Sequence, residues 1–153
     1  MIHEIRRWFD GPLALSGAIA HGDAVLAAQA MGADLAYIGS AFIATPEARA
    51  SDEYKQAIVA SSAADIVYSD LFTGIHGNYL RASIVAAGLD PENLPAPGAE
   101  AMNFQSASGA KAWRDIWGSG QGVGAVDAVL PAAELVARLS EEYRAAKARI
   151  CAS

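Results

Sequence analysis

Cysteine is all but missing: Cys151, two residues from the end of the 153-residue chain, is the only one. An intrachain disulfide is therefore excluded, thiolates cannot build a metal site, and a reducing cytoplasmic setting is expected. Basic residues are scarce and scattered, 11 Lys and Arg against 17 Asp and Glu, for a formal net charge of -6. Tracking a nucleic-acid backbone needs a concentrated cationic face, so no nucleic-acid partner is expected. No run of 18 apolar residues is present, and residues 1–10 carry charges throughout, without the apolar core of a secretory leader. Neither a membrane span nor an export signal is predicted, and the protein is expected to be soluble. The three histidines, His3, His21 and His76, show neither Glu-x-x-His nor His-x-x-x-His spacing, so no metal site is expected. Ser16 lacks a surrounding Gly-x-Ser-x-Gly elbow, which leaves a hydrolase nucleophile unsupported.

What is abundant is apolar material, 53% hydrophobic residues with a mean hydropathy of +0.20. That suffices for one core, and it also fits a surface that awaits a partner. Ile2, Ile5, Trp8 and Phe9 share one helical stripe, stopped by Asp10-Gly11-Pro12. Residues 13–19 and 33–38 are nearly continuous apolar runs, the pattern of parallel strands covered on both faces. Between them Gly22-Asp23 opens an alanine-rich helix that Gly32 stops, so residues 12–40 read as a right-handed β-α-β unit. Beyond Thr45-Pro46, Ser51 is placed to cap a helix carrying Tyr54, Ile58 and Val59. Residues 65–72 read as a short strand, 73–78 as a glycine-bounded turn, and 79–87 as a helix ending at Gly88.

Pro91, Pro95, Pro97, Gly98, Ser106 and Ser108 mark residues 89–109 as irregular. A short helix is expected over 111–117, with Trp113 and Trp117 packing one face, and then a flexible glycine run over 118–124. Pro131, at a first helical position, opens the last helix. Its apolar stripe is Leu135, Leu139, Tyr143, Ala146 and Ile150, with Glu141, Glu142, Arg144 and Lys147 mostly outward. The chain thus divides into residues 1–48, an excursion over 49–110, and a glycine loop with terminal helix over 111–153.

The chemistry concentrates where each strand of the β-α-β unit meets a glycine turn, at Ser16-Gly17-Ala18 and Ile38-Gly39-Ser40. A glycine between a strand and a helix start lets backbone N–H groups face an anion with no Cβ in the way. Gly39 and Ser40 can supply donors on one side and Gly17 and Ala18 on the other, and a phosphate-bearing cofactor is the natural ligand. In (β/α)8 barrels of about 250 residues such a cradle follows strands seven and eight. Here it starts at residue 12. The expected class is therefore α/β, the C-terminal part of a (β/α)8 TIM-type barrel whose last two strands carry phosphate-binding turns, with a mostly helical C-terminal segment. The alternative is the same device in a smaller fold. His21, beyond the first turn, either assists the anion or is a solvated loop residue. His76, set between two glycines and near Asn78, is the general-base candidate on local context. The run from Gly118 to Gly124 puts Val123 or Ala125 at the third glycine position of a dinucleotide fingerprint and follows no predicted strand. It is either a ligand-contacting loop, with Gln121 offering its amide, or a plain connection.

Read in order, Leu-Ser-Gly-Ala-Ile-Ala-His-Gly22, Ala-Val-Leu-Ala-Ala-Gln-Ala-Met-Gly-Ala-Asp34 and Tyr-Ile-Gly-Ser-Ala-Phe-Ile-Ala-Thr-Pro-Glu47 resemble the C-terminal barrel half of the nitronate monooxygenase family, formerly called 2-nitropropane dioxygenases. The resemblance continues through Phe72-Thr-Gly74 and Gly120-Gln121-Gly122 and so covers nearly the whole chain. It implies noncovalent FMN and the oxidation of alkyl nitronates by O2 to carbonyl compounds and nitrite. It also implies phosphate-binding positions at Gly17, Ala18, Tyr37, Ile38, Gly39 and Ser40. The sequence departs from the family where Ala18 replaces a frequent second glycine and His21 a frequent acidic residue. The family's catalytic histidine follows a Gly-Gly-His motif upstream of the matching region, and no such motif occurs here. The chain alone is expected to be inactive and to need an N-terminal barrel half or an oligomer partner. The alternatives are another FMN barrel of the enoyl-reductase type, or a noncatalytic partner of a separate N-terminal half.

Overall fold

An apolar run bounded by glycine turns can stay extended only where a neighbour takes up its backbone hydrogen bonds, and here the two runs serve each other. α1 (Ile2–Ile5) leads into β1 (Ala14–Ser16), and α2 (Gly22–Ala30) crosses over to β2 (Leu35–Tyr37). The strands pair in parallel, Ala14 with Leu35, Leu15 with Ala36 and Ser16 with Tyr37. The computed structural model describes residues 1–95 and 112–152. Pro97, Gly98, Ser106 and Ser108 of the expected irregular stretch lie outside them.

Two expectations for this unit are corrected. The first helix stops at Ile5, and Trp8 is 76% exposed. Arg6 turns inward instead, donating to the carbonyls of Gly11 at 2.7 Å and Gly32 at 3.0 Å and pairing with Asp34. The Asp34 carboxylate also accepts the Leu13 N–H at 2.8 Å, a clip that fixes where β1 begins. Nor are the strands covered on both faces. Leu15 and Ala36 pack with Ile2, Ile19, Ala28 and Ala33 under α2, but Leu35 is 60% exposed and Tyr37 66%. A parallel strand is buried on a face only when something lies against it, and among the described residues nothing covers this one.

Beyond β2 come α3 (Ser40–Ile43), α4 (Asp52–Val59) and a 3₁₀ turn (Ala63–Asp65). Ser51 caps α4 as predicted, its hydroxyl oxygen accepting the Tyr54 N–H at 3.3 Å. β3 (Ile66–Ser69) then pairs antiparallel with β4 (Gly77–Leu80), Val67 opposite Tyr79. The helix expected from residue 79 starts later, as α5 (Arg81–Ala86), because a distant segment holds β4 extended. Leu80 N–H donates to the Trp117 carbonyl at 2.8 Å, Ser119 N–H to the Asn78 carbonyl at 3.1 Å, and Tyr79 bridges Gly118. Tyr79 and Leu80, expected to open that helix, are therefore strand. The glycine run is not a free connection either: it begins on the edge of β4 and coils into a 3₁₀ segment (Gln121–Ala125) after α6 (Ala112–Asp115).

α7 (Ala132–Cys151) lies along α2. Pro131 stands just before α7 rather than inside it, and the Glu47 carboxylate accepts the orphan Ala132 N–H at 3.0 and 3.1 Å. Leu135 and Ala146 are buried, while Ile150, at the far end of the expected stripe, is exposed. Glu142 does not point outward; its carboxylate accepts the Gly22 N–H at 2.7 Å. The helices approach so closely because Gly22 has no side chain: a Cβ there would lie 2.2 Å from the Tyr143 nitrogen and 2.4 Å from the Leu139 oxygen. One central core joins Ala20, Ala41 and Ala44 with Ile58, Leu80, Val123, Val126 and Leu135, so residues 1–48, 49–110 and 111–153 all contribute to it.

Candidate functional site

Strands paired in parallel and in register end side by side, so the turns that follow them meet. Gly17 (φ +108°) and Ala18 (φ +54°) both adopt left-handed backbone at the end of β1. Gly39, at the end of β2, has φ -107° and needs no such freedom. At Gly17 and at Gly39 a Cβ would meet no atom within 4 Å, so both open onto space. That space is a pocket of about 160 Å³ bounded by both turns, by Ser16 and Tyr37, and on its third side by Gly120 and Gly122.

The third side is built by close approach. A Cβ at Gly122 would lie 2.9 Å from the carbonyl carbon and oxygen of Ala18, so only glycine lets the 3₁₀ segment rest on that turn. Gly120 N–H donates to Ser40 Oγ at 2.8 Å, and Ser119 Oγ stands 3.1 Å from the same oxygen. Farther out, the Tyr54 hydroxyl donates to the Gly118 carbonyl while its ring stacks on Trp117, centroids 5.0 Å apart and 14° from parallel. Burial pushes the Tyr54 phenol's pKa up, which keeps it a donor.

Among the described residues no charged side chain lines the pocket. Its polarity comes from the backbone and from the hydroxyl-bearing residues Ser16, Tyr37 and Ser40. Among the described residues the N–H groups of Ala18 and Gly39 find no protein acceptor, and that of Ser40 belongs to a first helical turn, where no intrahelical acceptor exists; the Gly17 N–H instead continues the parallel ladder toward the Tyr37 carbonyl. Unmatched donors around a concavity that Gly17 and Gly39 leave open suit an anion whose oxygens accept from several directions. The N-terminus of α2 does not contribute, since Glu142 already takes its first N–H. α3, a single turn, adds little dipole, so the site works through local donors.

Of the residues predicted to hold a cofactor, Gly17, Ala18, Tyr37, Gly39 and Ser40 line this pocket. Ile38 turns away into two hydrophobic clusters. Gln121 does not line it, whereas the glycines on either side do, so the run contributes backbone rather than an amide side chain. His21 sits at the N-cap of α2 without a side-chain capping bond. His76 lies in the β3–β4 connection, stacked on Tyr68 with Nδ1 3.9 Å from the Asp70 carboxylate, and is not part of the pocket. Sequence reasoning offered the run as a ligand-contacting loop but singled out only Gln121; Gly120 and Gly122 line the pocket and Ser119 touches Ser40, and the turn onto which the run folds left no signal. Among the described residues no cluster of three or more His, Cys, Asp or Glu could hold a metal, and no helix is long and apolar enough to cross a membrane.

The nitronate monooxygenase family pattern matches residues 1–142. A nitronate monooxygenase of Paraburkholderia phytofirmans is 29% identical over 140 residues, covering 87% of this chain and 38% of the relative. A probable nitronate monooxygenase of Staphylococcus haemolyticus is 35% identical over 63 residues, 41% of this chain and 18% of the relative. Among solved structures, FabK from Thermotoga maritima superposes with a TM-score of 0.77 at 22% identity, covering 99% of this chain and 50% of that one. Nitroalkane oxidase from Streptomyces ansochromogenes does so at 0.73 and 27%, covering 97% and 44%. The chain thus shares its fold with part of a larger architecture and spans half or less of the length of these proteins.

Proposed function

The chain belongs to the nitronate monooxygenase family, and on that premise we propose that it is the C-terminal portion of a (β/α)8 barrel enzyme and holds the phosphate end of FMN between its two glycine turns. The observation that carries this reading is the set of backbone donors at Ala18, Gly39 and Ser40, without a protein acceptor among the described residues, around a space onto which Gly17 and Gly39 open. A phosphate monoester dianion only accepts hydrogen bonds and has three oxygens to share among them, so it matches this donor set. Tyr37 and Ser16, where the strands run into the turns, form the rim through which the rest of the cofactor leaves the cradle. When bound, FMN supplies the redox chemistry by which an alkyl nitronate and O2 give a carbonyl compound and nitrite. The contribution of this chain is to anchor and orient.

A phosphate anchor does not place a base at hydrogen-bond distance from substrate, and His76 lies outside the pocket. The strand face carrying Leu35 and Tyr37 supports the complementary half of the proposal: an N-terminal barrel half or oligomer partner packs there and completes the ring and substrate site. Alone, the chain binds but does not turn over. The single cysteine supports a reducing, cytoplasmic setting.

The test is a pair of fluorescence titrations of the purified chain, one with FMN and one with riboflavin, which lacks the phosphate. Saturable binding of FMN with little binding of riboflavin is the expected result. Equal binding of both, or of neither, overturns the assignment.

A further inference from the structure

Ser119 is buried and does not line the pocket, yet it contacts a residue that does. Its hydroxyl stands 3.1 Å from Ser40 Oγ, and its other acceptor, the Gly120 carbonyl, is farther away at 3.4 Å. Ser40 Oγ receives a second donor, the Gly120 N–H, at 2.8 Å. A hydroxyl oxygen has two lone pairs and one proton. With both lone pairs taken by groups of the glycine run, Ser40 can act on a third partner only as a donor, and the pocket that Ser40 lines is where such a partner would sit.

We propose that Ser119 is a positioning residue: by donating to Ser40 it fixes the Ser40 hydroxyl as a donor into the pocket, which makes the pocket selective for the dianion of a phosphate monoester. Without the Ser119 hydroxyl, one lone pair of Ser40 is released, and the oxygen can present it to the anion in place of its proton. The inference rests on the FMN-phosphate reading above and adds to it a residue that never touches the ligand.

The experiment compares the unmodified chain with Ser119→Ala and Ser119→Thr. FMN affinity is measured by fluorescence, the protonation of the bound phosphate by ³¹P NMR against pH, and stability by thermal unfolding. Ser119→Ala is expected to weaken FMN binding by about threefold to tenfold, the range for one neutral hydrogen bond. Ser119→Thr, which keeps the hydroxyl, is expected to bind like the unmodified chain. The second ionisation of a free phosphate monoester lies near pH 6, and a directed donor favours the dianion. The bound phosphate should therefore take up its proton at lower pH in the unmodified chain than in Ser119→Ala. A merely structural role for Ser119 would lower affinity and melting temperature together without moving that titration, and this result overturns the proposal. Binding of FMN that is indifferent to Ser119→Ala overturns the relay alone. Failure of the unmodified chain to bind either FMN or inorganic phosphate overturns both the relay and the reading beneath it.

Discussion

Replacing Gly22 with alanine puts one methyl group where α2 touches α7. Its carbon would lie 2.2 Å from the Tyr143 nitrogen, 2.4 Å from the Leu139 oxygen and 2.6 Å from Glu142 Cβ. Two of these are backbone atoms inside a 20-residue helix, so no side-chain rotation relieves them. Restoring an ordinary contact of 3.4 Å drives the helices apart by about 1 Å and stretches the 2.7 Å bond from Gly22 N–H to the Glu142 carboxylate past hydrogen-bonding range. Overpacking of this kind costs about 1–3 kcal/mol, and loss of a hydrogen bond to a charged group about 1.5–3 kcal/mol. A destabilisation of roughly 3–5 kcal/mol is a large fraction of the 5–15 kcal/mol typical of a domain. At about 2–4 °C per kcal/mol for a chain of this size, the melting temperature falls by roughly 10 °C. Thermal and urea unfolding followed by far-UV circular dichroism read the change. The sign is diagnostic, because alanine is the better helix former by up to about 1 kcal/mol and stabilises wherever nothing obstructs it. An unchanged or raised midpoint would refute the close approach of α2 and α7.

Gly39→Leu separates binding from folding: its φ of -107° suits any residue and its Cβ meets open space. Stability should stay within about 0.5 kcal/mol, while FMN binding, read by fluorescence, is lost because the side chain fills the cradle. Gly122→Ala should weaken FMN binding by displacing the Ala18 turn, whereas Gly124→Ala, whose Cβ meets nothing nearer than 3.6 Å, should not; equal effects on a fluorescence titration would contradict the third wall described above. The Leu13 N–H, with help from Arg6, holds the Asp34 carboxyl below its ordinary pKa of 3.8. Its contribution to stability is therefore full above pH 3.8 and lost as the pH falls through the lower, folded-state value. Asp34→Asn should melt below the unmodified chain at pH 7, with the gap narrowing as the pH falls below 3.8; a gap that does not change with pH would count against the carboxylate's role.

Those features of the fold that depend on neighbours in sequence were legible in it. The pairing of residues 14–16 with 35–37, the Ser51 cap and the helix stops at Gly32 and Gly88 all follow from local pattern. Residues 77–80 were misread as the end of a turn and the start of a helix because their extended form depends on Trp117 and Ser119, nearly forty positions away. The glycine run misled for the same reason: its composition gives freedom, and Ser40, Tyr54 and Ala18 remove it. At the site, two of the three walls were legible as strand-end turns. The third was legible only as one of two readings of the glycine run, because a glycine needed for close approach to a distant turn looks in sequence like one needed for flexibility. The bare face of β1 and β2 could not be read from residue types either, since an apolar strand looks the same with or without a cover.

The anion proposed for this pocket, held by backbone amides and the Ser40 hydroxyl, would bind with a kinetic signature set by the rest of the molecule. Among the described residues no cationic side chain lines it, while the chain carries a formal net charge of -6. The long-range field therefore repels an approaching phosphate that the short-range donors then retain. Added salt screens the repulsion beyond a Debye length of about 8 Å at physiological ionic strength and leaves the enclosed contacts largely untouched. Association should quicken with ionic strength while dissociation holds steady, so that the ligand binds more tightly in salt. A phosphate site built from lysine and arginine does the opposite.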